Sequence, residues 1–98
     1  AEYAQMLMAP HIGGGPLFYA ASLTADSVMN NFLIQETGYF EQFDHFVEHE
    51  WKIKNGYVNI SDRPGLGIEV KEKDIAKMPY HPLPFRQYRH EDGSWKGW

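Results

Sequence analysis

The sequence predicts an α/β fold with parallel strands, and three observations in its first third carry that prediction. Two short apolar runs, Gln5 to Ala9 and Phe32 to Ile34, suit buried strands. A helix-compatible stretch opened by Pro16 lies between them. Each apolar run is followed within a few residues by a side chain capable of proton chemistry, His11 after the first and Glu36 after the second. The order strand, loop, helix, strand is the alternation of a parallel sheet.

Each element has a local reason. Ala1-Glu2-Tyr3-Ala4 opens without methionine and reads as the last turn of a helix, which predicts that further sequence precedes it. Pro10 ends the first strand because it cannot donate to a ladder. Gly13-Gly14-Gly15 must be a loop, since three glycines cost too much entropy inside a helix or strand. Pro16 suits the first helical position, where its missing N–H is no loss. The helix should run from Leu17 to about Val28. Leu17, Ala20, Ala21, Thr24 and Val28 share one face and Phe18, Ala25 and Met29 another, so burial is expected on more than one side. Asn30-Asn31 breaks it. In folds of this kind functional groups gather where strands end. His11 and Glu36 both fall at such ends, which makes them the candidate site.

The remainder differs in character. Thr37 to Glu50 is polar and aromatic, with a helix expected around Phe43 to Glu50. Lys52 to Val70 reads as a hairpin or meander, with Asn55-Gly56 at its turn and Tyr57, Val58 and Ile60 in a strand. Arg63 to Gly67 is a loop before the short strand Ile68 to Val70. Lys71 to Met78 suits a short helix with Asp74 and Lys77 exposed, ended by Pro79. Pro82 and Pro84 keep the tail extended, and Asp92-Gly93 marks a further turn. Trp51, Trp95 and Trp98 read as packing anchors.

Composition excludes several classes. Nine Lys and Arg against thirteen Asp and Glu leave no basic footprint, so no nucleic-acid partner is expected. The longest apolar run, Pro16 to Leu23, is far too short to span a bilayer, so no membrane partner is expected either. Without cysteine there is no disulfide framework and no thiolate zinc site, which fits a cytoplasmic protein.

Ala9-Pro10-His11, Gly15-Pro16, Ala20-Ala21 and Asn31-Phe32-Leu33-Ile34-Gln35-Glu36 together resemble the seventh and eighth barrel strands of the enolase superfamily, mandelate racemase subgroup. The likeness is strongest to acid-sugar dehydratases of the galactonate type. Arg63-Pro64-Gly65-Leu66-Gly67-Ile68-Glu69-Val70 resembles the segment that follows the barrel in that family, and Arg89-His90-Glu91-Asp92-Gly93-Ser94 has the same character. The resemblance implies the C-terminal portion of a modified (β/α)7β barrel. Residues 1–38 would supply its last strands and helix, and residues 39–98 a tail packed on an α+β capping domain. A complete barrel takes about 250 residues.

The resemblance also implies a chemistry. The family's shared step removes a proton α to a carboxylate, and the developing enediolate needs electrostatic stabilisation, supplied by Mg²⁺. The carboxylate ligands for Mg²⁺ lie on earlier strands, so none is assigned in this chain. His11 would be the general base, since histidine titrates near operating pH, held by an aspartate on the preceding barrel strand that lies outside this chain. Glu36 would hydrogen-bond the substrate carboxylate, protonated in a closed site with a raised pKa. Loss of the 3-hydroxyl would then give a 2-keto-3-deoxy acid from a sugar-acid substrate. A homo-oligomer is expected of the full-length protein.

Rival readings remain. A racemase, epimerase or cycloisomerase shares base and metal without the elimination, and a non-catalytic structural fragment needs neither. The glycine run lacks the Lys-Ser/Thr of a phosphate-binding loop. His45-Phe46-Val47-Glu48-His49 matches the H-x-x-E-H of inverted zinc peptidases, which on a helix sets both imidazoles on one face. Five residues match by chance easily, and a solvated acidic surface is the better account.

Overall fold

The computed structural model of the chain describes residues 1–37, 41–82 and 88–96. In chain order it contains a 3₁₀ turn Glu2–Ala4, helix α1 Pro16–Asp26 and a 3₁₀ segment Glu41–Phe46. Strands β1 Val47–His49, β2 Ile53–Lys54, β3 Tyr57–Val58 and β4 Ile68–Val70 follow, then the short helix α2 Glu72–Ile75.

The two expected parallel strands contract to a single parallel bridge between Met8 and Phe32. Met8 N–H donates to the Asn31 carbonyl and Leu33 N–H to the Met8 carbonyl, both at 2.8 Å. The Asn31 side-chain amide straps the same pair by donating to the Met6 carbonyl at 2.6 Å. The direction of pairing agrees with the α/β pattern; the length does not. A parallel pair is the weaker ladder and is normally flanked by further strands and covered on both faces. Here Met6, Leu7 and Ile34 are each 62% exposed and Leu33 58%.

Helix α1 starts at Pro16, with Gly15 extended as its N-cap. A Cβ on Gly14 would lie 2.7 Å from Phe18 Cβ, so the loop can fold this tightly onto the first turn only with glycine there. The helix buries Tyr19, Ala20, Leu23 and Asp26, a stripe at helical spacing. Burial on several sides does not occur, because Leu17, Phe18 and Val28 are exposed. The stripe packs instead on residues from beyond the helix. Ile12, Tyr19, Ala20, Leu23 and Trp51 form the core, with Val58 and Ile68 against it. Trp51 meets Tyr19 edge-on at 5.6 Å between ring centres. His49 stacks flat on Trp51 at 3.8 Å.

The helix expected around Phe43 to Glu50 is replaced by the 3₁₀ segment and then β1. Val47 is buried, Glu48 exposed and His49 half-buried, the alternation of a strand. β1 pairs antiparallel with β4, Val47 opposite Val70 and His49 opposite Ile68. β2 and β3 form the expected hairpin, with Asn55 and Gly56 both at positive φ, 54° and 78°, as its two-residue turn requires. Ile60 lies outside the strand, and Ile68–Val70 joins β1 rather than extending the hairpin into a meander. α2 covers part of the expected helix, with Lys77 paired to Asp74 at 2.7 Å. The turn at Asp92-Gly93 forms beneath an antiparallel bridge between Arg89 and Trp95. Trp95 is 63% exposed, whereas Trp51 is in the core; Pro84 and Trp98 lie outside the described residues. No helix among the described residues is long and apolar enough to cross a membrane.

Candidate active site

The parallel bridge sets the site. Because Met8 and Phe32 run side by side in the same direction, the segments after them emerge at the same edge. His11 follows three residues beyond the bridge on one chain and Glu36 four beyond it on the other. His11 Nδ1 and Glu36 Oε2 meet at 2.6 Å. The same oxygen accepts the Ile12 backbone N–H at 2.8 Å. Ile12 itself is 6% exposed and belongs to the core. Burial of one side chain thereby fixes the loop that carries the histidine.

The electrostatics follow from those two bonds. The Ile12 N–H first, and the His11 ring second, hold the Glu36 carboxyl below the usual carboxylate range. The raised value expected for Glu36 is therefore not what this geometry gives. A carboxylate that accepts two hydrogen bonds in open solvent has every reason to stay ionised. The His11 and Glu36 side chains are 83% and 50% exposed, so desolvation opposes this less than the two hydrogen bonds favour it. An ionised carboxylate offers only acceptors, which assigns the Nδ1 position as the protonated nitrogen of a neutral His11 ring. Nε2 is then free to accept a proton.

A second layer lies behind this pair. The Gln35 side-chain amide donates to the Pro10 carbonyl at 3.2 Å and to the Glu36 carbonyl at 2.7 Å. Its oxygen accepts the Ser22 hydroxyl of α1 at 2.8 Å. A cavity of about 370 Å³ is lined by Gln35 and Thr37, on either side of Glu36 in sequence, with Tyr19, Asp26, Phe32 and Tyr57. Neither His11 nor Glu36 lines it, so the cavity is not the place where the pair would act. Sequence reading found His11 and Glu36 but not Gln35, Ser22 or Asp26. Asp26 had a signal, a carboxylate three residues after Leu23 on the buried stripe; Ser22 had none.

The histidines of the H-x-x-E-H pattern do not converge. His49 Nε2 faces Asp44 at 3.1 Å and its ring is stacked on Trp51, while the His45 ring lies against Phe46 at 3.6 Å. The helix that pattern requires is not formed. Among the described residues no three His, Cys, Asp or Glu side chains form a group fit for a metal. Mg²⁺ demands a near-octahedral set of oxygens. Glu36 Oε2 is already engaged by His11 and Ile12, so the described residues alone do not fit that ion.

The enolase C-terminal domain-like family profile matches residues 1–74. A D-galactonate dehydratase family member of Streptomyces bingchenggensis is 38% identical over all of this chain, which spans 25% of that relative. A D-gluconate/D-galactonate dehydratase of Picrophilus torridus is 36% identical over 91% of this chain and 23% of its own length. A D-mannonate dehydratase of Rhizorhabdus wittichii is 36% identical over 85% of this chain and 21% of its own. The chain thus spans about a quarter of the curated relatives it matches. By the extent of the profile match, and by the parallel α/β bridge within it, the chain belongs to the enolase C-terminal domain-like family.

Proposed function

We propose that this chain is the C-terminal part of an acid-sugar dehydratase, with residues 1–38 as the last strands and helix of a (β/α) barrel and residues 39–98 as a segment reaching its cap. One observation carries the reading: His11 and Glu36, from two parallel segments, meet at 2.6 Å at one edge. The exposure of Met6, Leu7, Leu33 and Ile34 supports the barrel part, since apolar strand residues of this kind need neighbouring strands and helices to cover them. The matched relatives are named for dehydration of galactonate, gluconate or mannonate, so the substrate class is a sugar acid.

His11 is the base in this reading. With Nδ1–H held in this chain by Glu36, the place the resemblance gives to an aspartate of the preceding barrel strand, Nε2 accepts the α-proton of the sugar acid. Glu36 faces the substrate carboxylate and must gain a proton to donate to it. Exclusion of solvent by bound substrate would raise its pKa for that role. Departure of the 3-hydroxyl needs a general acid from outside this chain. Mg²⁺ dependence belongs to the proposal, with ligands also outside this chain.

The test is incubation of the intact protein with galactonate, gluconate and mannonate in D₂O, following 2-keto acid formation and C2 deuterium exchange separately. His11→Asn should abolish keto acid formation by about a hundred- to ten-thousand-fold, the usual weight of a general base. Glu36→Gln should cost less, because an amide still donates. Exchange with inversion at C2 and no keto acid from any substrate would point to a racemase or epimerase. Full activity of His11→Asn would remove the reading.

A further inference from the structure

The Gln35 side chain engages both its donor hydrogens and its amide oxygen in joining the two segments of the site. Its Nε2 carries two hydrogens and donates to two carbonyls, that of Pro10, which precedes His11, and that of Glu36. Its Oε1 accepts the Ser22 hydroxyl from helix α1. The orientation of the amide follows from these partners. A flipped amide would set its oxygen against two carbonyl oxygens, a repulsion no partner here offsets. One half-buried side chain therefore fixes the distance between two backbones and ties both to a helix whose other face is in the core.

The contacts are to backbone and not to the reacting groups. The donor bonds of the Gln35 side chain go not to the His11 imidazole or the Glu36 carboxylate but to the carbonyl one residue before the first and the backbone carbonyl of the second. The direct bonds of Glu36 to His11 Nδ1 and Ile12 N–H depend on that frame being in register. Resting on the reading of His11 and Glu36 given above, we propose that Gln35, anchored by Ser22, is a positioning residue that sets the spacing between the base and its carboxylate partner.

Misplacement of a reacting group by about 1 Å can cost on the order of a hundredfold in rate. In the intact enzyme, Gln35→Met, which keeps length and loses both donors, should lower kcat by about 10- to 100-fold with KM changed less than about threefold. The thermal midpoint should move little. A ¹³C-carboxyl titration should show Glu36 returning toward the ordinary glutamate range as its two bonds lengthen, a change that loss of packing elsewhere would not produce. Ser22→Ala should lower kcat more mildly, and Ser22→Thr, which keeps the hydroxyl, should restore it. Wild-type kcat and an unmoved Glu36 titration in Gln35→Met would overturn the proposal. If that variant does not fold, equal kcat for Ser22→Ala and Ser22→Thr would overturn it instead. An inactive His11→Asn beside a fully active Gln35→Met would sink only the positioning role. A fully active His11→Asn would sink the reading on which it rests.

Discussion

The Ile12 backbone N–H and the Glu36 carboxylate are joined at 2.8 Å, while the residue before Ile12 donates to the same oxygen at 2.6 Å. Two consecutive residues of one loop thus share a single acceptor from the neighbouring segment. The buried Ile12 side chain fixes the first donor, and the exposed His11 ring supplies the second.

The first prediction concerns the titration of Glu36. Its folded pKa lies below the ordinary value, so its stabilising contribution is present above the unfolded pKa and is lost as pH falls through the folded one. The larger cause is the Ile12 N–H, which a change at position 11 leaves in place. A ¹³C-carboxyl titration of His11→Ala should therefore show Glu36 moving only part of the way back toward the ordinary range. Complete return would mean that the histidine, and not the backbone, holds the charge.

Ile12→Ala separates packing from chemistry less cleanly, and its direction is firm. Removing most of a buried isoleucine costs about 2–5 kcal/mol. Denaturant unfolding should show a loss of that order, with the midpoint falling and the slope unchanged. Because the backbone N–H on Glu36 moves with the loop, activity should fall further than the loss of folded protein explains.

Gly13→Ala should act on the base directly. A Cβ at position 13 would sit 3.3 Å from His11 Nε2, the nitrogen left free by the bond at Nδ1. The methyl group crowds the approach of a substrate C–H without touching the core. The expected result is a fall in kcat of roughly tenfold or more, in line with the cost of small misplacements, at an almost unchanged thermal midpoint. Unaltered kcat would show that the proton is taken from another side.

Much of this site was legible in the sequence because its signals are local. Proline at position 10 and three glycines after Ile12 define a strand end and a loop, whatever packs around them. Asn55-Gly56 demands positive φ and obtains it. The histidine and glutamate stand where two such segments end, and parallel pairing at Met8 and Phe32 brings them together. What the sequence could not supply were the choices made by tertiary contact. Which face of α1 is buried depends on Trp51, which arrives from 25 residues beyond the helix end. Phe43 to Glu50 has apolar residues at spacings that suit helix or strand alike, and pairing of Val47 with Val70 decides for strand. The titration of Glu36 likewise rests on a backbone N–H, which no side-chain motif records.

The last prediction concerns Asp26. It is 8% exposed, both carboxyl oxygens lack a hydrogen-bond partner among the described residues, and burial pushes its pKa up. Between the ordinary aspartate value, about 3.9, and the raised one, the folded protein binds more protons than the unfolded chain. Stability therefore falls as pH rises through that window, and above it the full penalty remains. Asp26→Asn keeps the shape and removes the charge, so at pH 7 its thermal midpoint should exceed that of the wild type. The gap should close as pH falls below the ordinary aspartate range, where both side chains are neutral. Asp26→Leu removes the need for a partner as well, a need that costs about 1–3 kcal/mol when a buried polar group goes unmet. Its advantage over Asp26→Asn should be the same at every pH. These two differences isolate charge from polarity in thermal melts at a series of pH values. A lower midpoint for Asp26→Asn at pH 7 would show instead that a cationic group meets Asp26 in the intact protein.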